Sequence, residues 1–208
     1  MKRILVIERE YGAGGSVIAE KAAQRLGWKL LDQELTERIA GLAKINSDVC
    51  KHREERIDPW LYRLAKVFWR GSHERSAGLS DGDIIDADHL ICLSQQVIEE
   101  AAEAGGCVIV GRGAAYFLRD RKDTFCAFLY ASREFKYRRV LADIKDEAEA
   151  LRLVDTIDSE RAQFIRHYYK VEWPSRCLYD VMINTSIGDD ATVDTILHLI
   201  EDFNRRGD

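Results

Sequence analysis

Proline and paired cysteines are scarce in this chain, which excludes several kinds of architecture. Only two prolines, Pro59 and Pro174, occur in 208 residues, so no proline-rich linker divides the chain into domains. The five cysteines show no CxxC spacing, and their odd number argues against a complete disulfide framework. Free thiols in a reducing compartment are the simplest interpretation. No group of cysteines and histidines has the spacing of zinc ligands.

An excess of positive charge and a long apolar run are also missing. The chain has 31 lysines and arginines against 36 aspartates and glutamates, a formal net charge of −5. Binding of a nucleic acid polymer by counterion release needs a basic surface, so we do not expect such a partner. The N-terminal apolar run at 3–8 is too short for a signal peptide, and no run approaches a membrane span. We therefore expect a cytoplasmic protein with no membrane partner.

Short apolar runs alternate with helical segments along the chain. Residues 3–8 form a compact β-branched run, and residues 107–110 and 124–131 are similar. Such runs are typical of parallel strands that are covered by helices on both faces. Together with the short segment 28–31 and the run 179–184, they predict a five-stranded parallel sheet of the α/β class.

The segments between these runs are predicted mainly from helical periodicity. Residues 15–26 carry apolar side chains four apart, and Gly27 follows as a helix C-cap. Most of the segment 33–105 has helical character and forms an insertion between the second and third strands. Residues 143–152 are highly charged and are predicted to be a connector, followed by a helix at 156–170.

A glycine cluster lies between the first predicted strand and the first predicted helix. In this arrangement backbone N–H groups converge on an anion, and the helix dipole favours its charge. The standard phosphate-loop sequence is GxxxxGKS or GxxxxGKT, and aligning its second glycine with Gly14 places its hydroxyl residue at Ser16. Arg9 then stands at the first glycine position and Gly15 at the lysine position. The predicted phosphate-binding residues are Gly12, Ala13, Gly14, Gly15, Ser16 and Val17.

The lysine that this loop lacks normally reaches the outer phosphates and stabilises charge on the transferred group. One interpretation is that Arg9 supplies the cation, because a guanidinium binds phosphate bidentately. A second is that Lys21 or another distant base supplies it. A third is that the site binds nucleotide weakly and transfers nothing, and a fourth is that the glycines only pack a strand against a helix.

A longer stretch around this loop resembles a known family. The string EREYGAGGSVIAEKAAQRLGW, followed by LLD, is similar to the cytidylate kinase-like proteins, a branch of the nucleoside monophosphate kinases. The similarity is best at residues 5–35, 107–140 and 155–187. It implies a P-loop kinase fold with helices on both faces of the sheet. It also implies a single domain at 1–208, with a helical monophosphate-binding insertion at about 33–105 and a lid at about 133–161.

The resemblance extends to single positions. The family has Gly-Arg-Asp after the third strand, which here is Gly111-Arg112-Gly113. Arg112 keeps the arginine that would grip the acceptor phosphate, whereas Gly113 replaces an aspartate that helps to hold the base. A later motif, Arg-Asp-x-x-Asp-Ser-x-Arg, has Val154 in place of its first arginine. The expected catalytic residues are Arg9, Arg112, Arg133, Arg138, Arg139 and Arg161, and the expected acceptor-binding residues are Asp32, Arg112, Asp155 and Asp158.

ATP and Mg²⁺ are the cofactors that the resemblance implies, with small nucleotides as substrates. Ser16 is the natural direct ligand of the metal, and Asp32 could hold a metal-bound water or an acceptor hydroxyl. Asp32 can equally be the N-cap of a helix that begins at residue 33. No aspartate ends the third strand, because Gly111 stands there.

Functions from different classes fit these features. The first is ATP-dependent phosphoryl transfer to a small acceptor, foremost a nucleoside monophosphate of the cytidylate type. The second is a nucleotide-binding sensor or scaffold on a degenerate kinase fold, because Gly15, Gly113 and Val154 each replace a charged residue. A kinase for a non-nucleotide acceptor is a third hypothesis. The aromatic residues at 60–69 also suggest a homodimer, as an alternative to core packing or to stacking on a base.

Overall fold

The computed structural model describes residues 1–32 and 87–206, together with Leu35, Arg38, Ile39 and Leu42. The strands are β1 Ile4–Arg9, β2 Lys29–Leu31, β3 Cys107–Val110, β4 Thr124–Tyr130 and β5 Val181–Asn184. The helices in the same residues are α1 Gly15–Leu26, α2 Ala87–Ala104, α3 Ala114–Phe117, α4 Arg133–Ile144, α5 Glu147–Tyr169 and α6 Asp189–Arg206. Single 3-10 turns lie at Arg176–Leu178 and Thr185–Ile187.

The strands form one parallel sheet in the order β2-β3-β1-β4-β5. At the centre, Ile4 of β1 is level with Cys107 of β3 on one side and with Thr124 of β4 on the other. Because every strand runs the same way, the segments that follow β1, β2 and β3 leave the sheet at one edge. That edge is where open parallel sheets bind their ligands.

Helices cover both faces of this sheet, as the sequence predicts. Ile4 and Val6 belong to the cluster that packs against α2, α3 and α5, whereas Leu5 and Ile7 belong to the cluster with α1 and α6. All four side chains are completely buried. Burial of each such side chain contributes roughly 1.5–3 kcal/mol, so the alternation along β1 fixes both layers at once.

The helix boundaries match the prediction at α1 and differ at α5. The charged segment 143–152 is helical except at Lys145 and Asp146, so the predicted connector is wrong apart from these two residues. Lys145 has a left-handed φ of 60°, and Asp146 caps α5 by accepting the backbone N–H of Glu149 at 3.1 Å. These two residues are sufficient to separate the helices. The short helix α3 was not predicted, because four residues show no periodicity.

The predicted insertion at 33–105 falls largely outside the described residues. Leu35 and Ile39 are helical and lie in the same buried cluster as Val97 of α2, which agrees with a helix in that region. The aromatic segment 60–69, and the homodimer hypothesis with it, lie outside the described residues. In the part of the chain that the structure describes, no helix has both the length and the apolar character needed to cross a membrane.

Candidate functional site

The predicted phosphate-binding residues, from Gly12 to Val17, lie in the turn at 10–14 that follows β1 and in the first turn of α1. Gly12 and Gly14 have left-handed φ values of 77° and 83°, which glycine adopts without steric cost. Ser132 caps α4 and Asp146 caps α5, but no side chain in the described ranges caps α1, and its first turn has no acidic residue. The N–H groups of this turn and the helix dipole therefore favour an anion.

Helix α4 packs directly on the loop. A Cβ on Gly12 would lie 3.0 Å from the carbonyl oxygen of Lys136, and a Cβ on Gly14 would lie 2.6 Å from Arg139 Cζ. The Arg139 guanidinium thus lies against the loop itself. It also donates to both carboxylate oxygens of Asp189 at the start of α6, at 2.7 and 3.2 Å.

Lys136 is a buried cation that the sequence did not single out. Its Nζ donates to Glu10 Oε2 at 2.9 Å and to Asp158 Oδ2 at 3.0 Å. Asp158 Oδ1 accepts the backbone N–H of Tyr11 at 2.8 Å, so the loop is tied to both α4 and α5. Burial alone would lower the pKa of Lys136, but the Asp158 and Glu10 carboxylates raise it. The only signal in the sequence was its place in the basic first half of α4.

Three predicted site arginines, Arg9, Arg112 and Arg161, meet beside the loop, and each is less than a tenth exposed. Arg161 Nη1 donates to the carbonyl oxygen of Arg9 at 2.8 Å and to Asp158 Oδ1 at 3.1 Å. Burial lowers the pKa of Arg9 and of Arg112 to about 10, while the nearby Asp32 carboxylate acts to raise both values. Arg9 and Arg112 therefore stay positively charged at neutral pH.

Arg112 has an unusual backbone conformation. Its φ is 59°, and the flanking Gly111 and Gly113 have φ values of 67° and 78°. A left-handed φ costs a non-glycine residue about 1–3 kcal/mol, and such strain tends to occur at functional sites. The turn brings Arg112 Nη2 to 3.8 Å from Asp32 Oδ1. A Cβ on Gly113 would overlap Tyr169 Oη, so this fold has no room there for the aspartate of the family pattern.

Ser16, the predicted metal ligand, lies beside Asp32, for which the sequence suggests a metal-bound water or an acceptor hydroxyl as the partner. Ser16 Oγ donates to Asp32 Oδ2 at 3.3 Å, and both residues are buried. One hydroxyl and one carboxylate suit Mg²⁺, which prefers a few protein oxygens and takes its other ligands from phosphates and water. The described residues contain no cluster of three or more histidines, cysteines or acids that could hold a resident ion. Ser16 and Asp32 could therefore supply two of the oxygen ligands of Mg²⁺.

Other predicted residues lie away from this cluster. Arg133 and Asp155 pair with each other through two hydrogen bonds of 2.7 Å on the exposed surface of α4 and α5. Arg138 is exposed and forms an ion pair within α4. Lys21, the alternative source of the missing cation, directs its Nζ to Asp190 of α6 at 2.7 Å. The structure thus brings only part of the predicted arginine set to the loop.

Glu8 is a second residue that the sequence did not single out. It lies in the centre of the sheet beside Arg9, only 2% exposed, and its Oε1 accepts no hydrogen bond from any described residue. Burial raises its pKa, although the charges of Arg9 and Arg161 oppose the shift. The available signal was an acidic residue at the end of an otherwise apolar strand.

Known proteins resemble this chain at the level of sequence. The model of the Cytidylate kinase-like family matches residues 4–187. Cytidylate kinases from a Shewanella species and from Shewanella putrefaciens are each 36% identical to this chain over 69 residues. That match covers 33% of this chain and only 30% of each of those proteins.

Solved structures resemble it at the level of the fold. An uncharacterized protein from Eubacterium ventriosum superposes with a TM-score of 0.67 at 23% identity, covering 96% of this chain and 99% of that chain. A shikimate kinase from Bacteroides thetaiotaomicron gives 0.52 at 16% identity, covering 95% and 98%. The shikimate kinase from Acinetobacter baumannii, solved with shikimate, gives 0.51 at 18%, covering 97% and 94%. Because the sequence identities are this low, the structural likeness shows the fold alone.

The sheet order, the phosphate loop and these structural relatives agree on a P-loop kinase fold. The family and the fold together support a phosphotransferase of the kinase type that binds nucleotide. The family model covers all five strands and each described helix except α6. The chain belongs to the cytidylate kinase-like family.

Proposed function

We propose that the protein is an ATP-dependent kinase that phosphorylates a small acceptor, a nucleoside monophosphate of the cytidylate type. One observation carries this proposal: the buried arginines Arg9, Arg112 and Arg161 adjoin a phosphate loop whose helix has no side-chain cap among the described residues. Phosphoryl transfer needs positioning and positive charge around the moving group more than covalent chemistry from the protein. The cluster supplies both.

The donor triphosphate would bind along the loop. The backbone N–H groups from Gly12 to Val17 would hold its phosphates, with the dipole of α1 behind them. Ser16 and Asp32 would hold Mg²⁺, which would supply positive charge to offset part of the charge of the phosphates. Arg139 already contacts Gly14, so it would reach the donor by exchanging the Asp189 carboxylate for a phosphate oxygen.

The acceptor phosphate would bind beside Arg112, at the end of β3. Arg112 lies next to Asp32 and is held there by its left-handed turn. Arg161 adds a second buried cation on the α5 side of the cluster. Asp155 and Asp158, two of the predicted acceptor-binding residues, are engaged in ion pairs with Arg133 and Lys136, so a bound nucleotide would have to share or replace those pairs.

A coupled assay of ADP release with a panel of acceptors tests this proposal. The panel contains CMP, UMP, AMP and GMP, with cytidine as the matched compound that lacks the phosphate. We expect turnover with a pyrimidine monophosphate and none with cytidine, because the cluster around Arg112 recognises a phosphate. Equal ADP release with and without every monophosphate would contradict the proposal.

A nucleotide-binding sensor is the second candidate, and one observation favours it. Lys136 and Arg139, the cations of α4 that contact the loop region, are both ion-paired with carboxylates. Their positive charge is therefore already offset and is less available to a phosphoryl group in transfer. A thermal-shift assay separates the two functions, because a ligand stabilises the folded state by about 2.7 kcal/mol at a hundredfold excess over its Kd. A large shift with ATP but no turnover with any acceptor would establish the sensor.

A further inference from the structure

The side chain of Arg9 runs through the space that two glycines leave open. A Cβ on Gly15 would lie 2.7 Å from Arg9 Cγ and 3.2 Å from Arg9 Cδ. A Cβ on Gly111 would overlap Arg9 Nη1. Since Cβ atoms essentially never approach another heavy atom within 3.0 Å, neither position can carry a side chain while Arg9 lies there. The arginine therefore fills the first part of the path that a side chain at position 15 would take.

Both glycines stand where P-loop proteins commonly have a charged residue. Position 15 is the lysine position of GxxxxGKS, and position 111 directly follows β3, near where such proteins have a metal-binding aspartate. Position 9, which carries the arginine, is the first glycine position of the same pattern. The side chain of Arg9 thus accounts for both departures. Its Cγ lies in the side-chain space of position 15, and its Nη1 lies in that of position 111.

We propose that Arg9 and Gly15 have exchanged roles, so that the cation of the phosphate loop comes from the end of β1 and binds the outer phosphates of a nucleoside triphosphate. This inference rests on the proposed nucleotide site but not on the identity of the acceptor. A guanidinium supports the role because it donates several hydrogen bonds in a fixed plane and stays charged when buried.

The structure holds this arginine firmly in place. The carbonyl oxygen of Arg9 accepts a 2.8 Å hydrogen bond from Arg161, and the N–H of Tyr11, two residues later, donates to Asp158 at 2.8 Å. Both backbone groups are therefore fixed by buried or half-buried side chains of α5. A cation that is positioned before the ligand arrives loses little entropy on binding.

The first test measures stability and needs no activity. Gly15 lies in the first turn of α1 with no left-handed φ, so alanine by itself should favour the helix. We expect G15A to lower the melting temperature when Arg9 is present and to leave it equal or higher in the R9A background. If G15A stabilises both backgrounds equally, Arg9 does not occupy the side-chain space of position 15, and the inference is wrong.

The second test rebuilds the standard loop. The double variant R9G/G15K reads GEYGAGKS at 9–16, which matches GxxxxGKS. We compare the ratio of adenosine to ATP dissociation constants, measured calorimetrically with Mg²⁺, because adenosine lacks the outer phosphates and, unlike AMP, is not in the acceptor panel. R9A should reduce the preference for ATP about ten- to a hundredfold, and R9G/G15K should restore most of it. The single variant G15K should also lose the preference, since its lysine and Arg9 compete for one space.

An unchanged ATP preference in R9A, or no recovery in a folded R9G/G15K, would overturn the exchange. These outcomes remain separate from those of the acceptor assay. Recovery of the ATP preference without phosphorylation of any acceptor would support the exchange and contradict the proposed kinase. Acceptor-dependent turnover that survives in R9A would support the proposed kinase and contradict the exchange.

Discussion

Arg112 shows how one residue is placed by its immediate neighbours. Glycines on both sides allow three successive left-handed residues, and the resulting turn directs a buried guanidinium to the carboxylate at the end of β2. The sequence motif was sufficient to identify this arginine. The strain in its backbone, and the Tyr169 hydroxyl that fills the side-chain space of Gly113, depend on contacts that no short motif contains.

At this scale we first predict the effect of Arg112→Ala on acceptor binding. The variant should lower kcat/KM for the monophosphate about a hundredfold or more, because it removes a buried charge-assisted contact. The Kd of ATP should change little, since the donor binds along the loop. Steady-state kinetics and calorimetry measure the two quantities. Arg119→Ala is the matched control, because Arg119 is exposed and pairs only with its neighbour Asp120 in the described structure; an equal loss in both variants would contradict the assignment.

Glu8 allows a second prediction, on the pH dependence of stability. Burial raises its pKa in the folded protein above the ordinary value of 4.5. The folded state therefore binds this proton more tightly than the unfolded state does, and the residue loses stabilising effect as the pH rises above about 4.5. Glutamine mimics the protonated form at every pH.

We expect the melting temperature of Glu8→Gln to approach or exceed that of the unsubstituted protein as the pH is raised from about 4.5 to 8. Thermal unfolding in a series of buffers measures the difference at each pH. A difference that stays constant, or that moves in favour of the glutamate at high pH, would mean that Arg9 and Arg161 outweigh the cost of burying the carboxylate.

Helices α4 and α5 form the element that connects the loop to the rest of the site. Lys136 bridges Glu10 of the loop and Asp158 of α5, and Asp158 accepts the backbone N–H of Tyr11. The sequence predicted the basic segment of α4 but singled out its arginines, two of which are exposed. Lys136 was missed because its importance depends on two carboxylates that are distant along the chain.

Lys136→Met should therefore destabilise the protein more than an equivalent surface change. The variant leaves Glu10 without its ion pair and Asp158 with Arg161 as its remaining cation, which costs about 1–3 kcal/mol. Arg133→Met is the matched control, because its ion pair with Asp155 is exposed and such pairs contribute little. Urea unfolding gives the free energy of unfolding of each variant. A similar decrease in both would show that the Lys136 bridge stabilises the protein no more than an exposed ion pair does.

At the scale of the whole molecule, the order of the strands in the sheet explains why sequence patterns predicted the fold better than the site. The apolar runs predicted each strand and the covering of both faces, because burial on two sides requires such runs. The predicted connector at 143–152 failed because a charged segment can also be an exposed helical face. Only the order of the strands brings the segments after β1, β2 and β3 together, and no local pattern contains that order.

The destination of the phosphoryl group is the property of the molecule that most directly decides its function. We would incubate the protein with ATP, Mg²⁺ and CMP and follow the products by phosphorus NMR. The phosphate loop and the buried arginines beside it predict that ADP and CDP form together in equal amounts. Inorganic phosphate in place of CDP, or unchanged ATP with a protein that still binds it, would contradict phosphoryl transfer to the monophosphate.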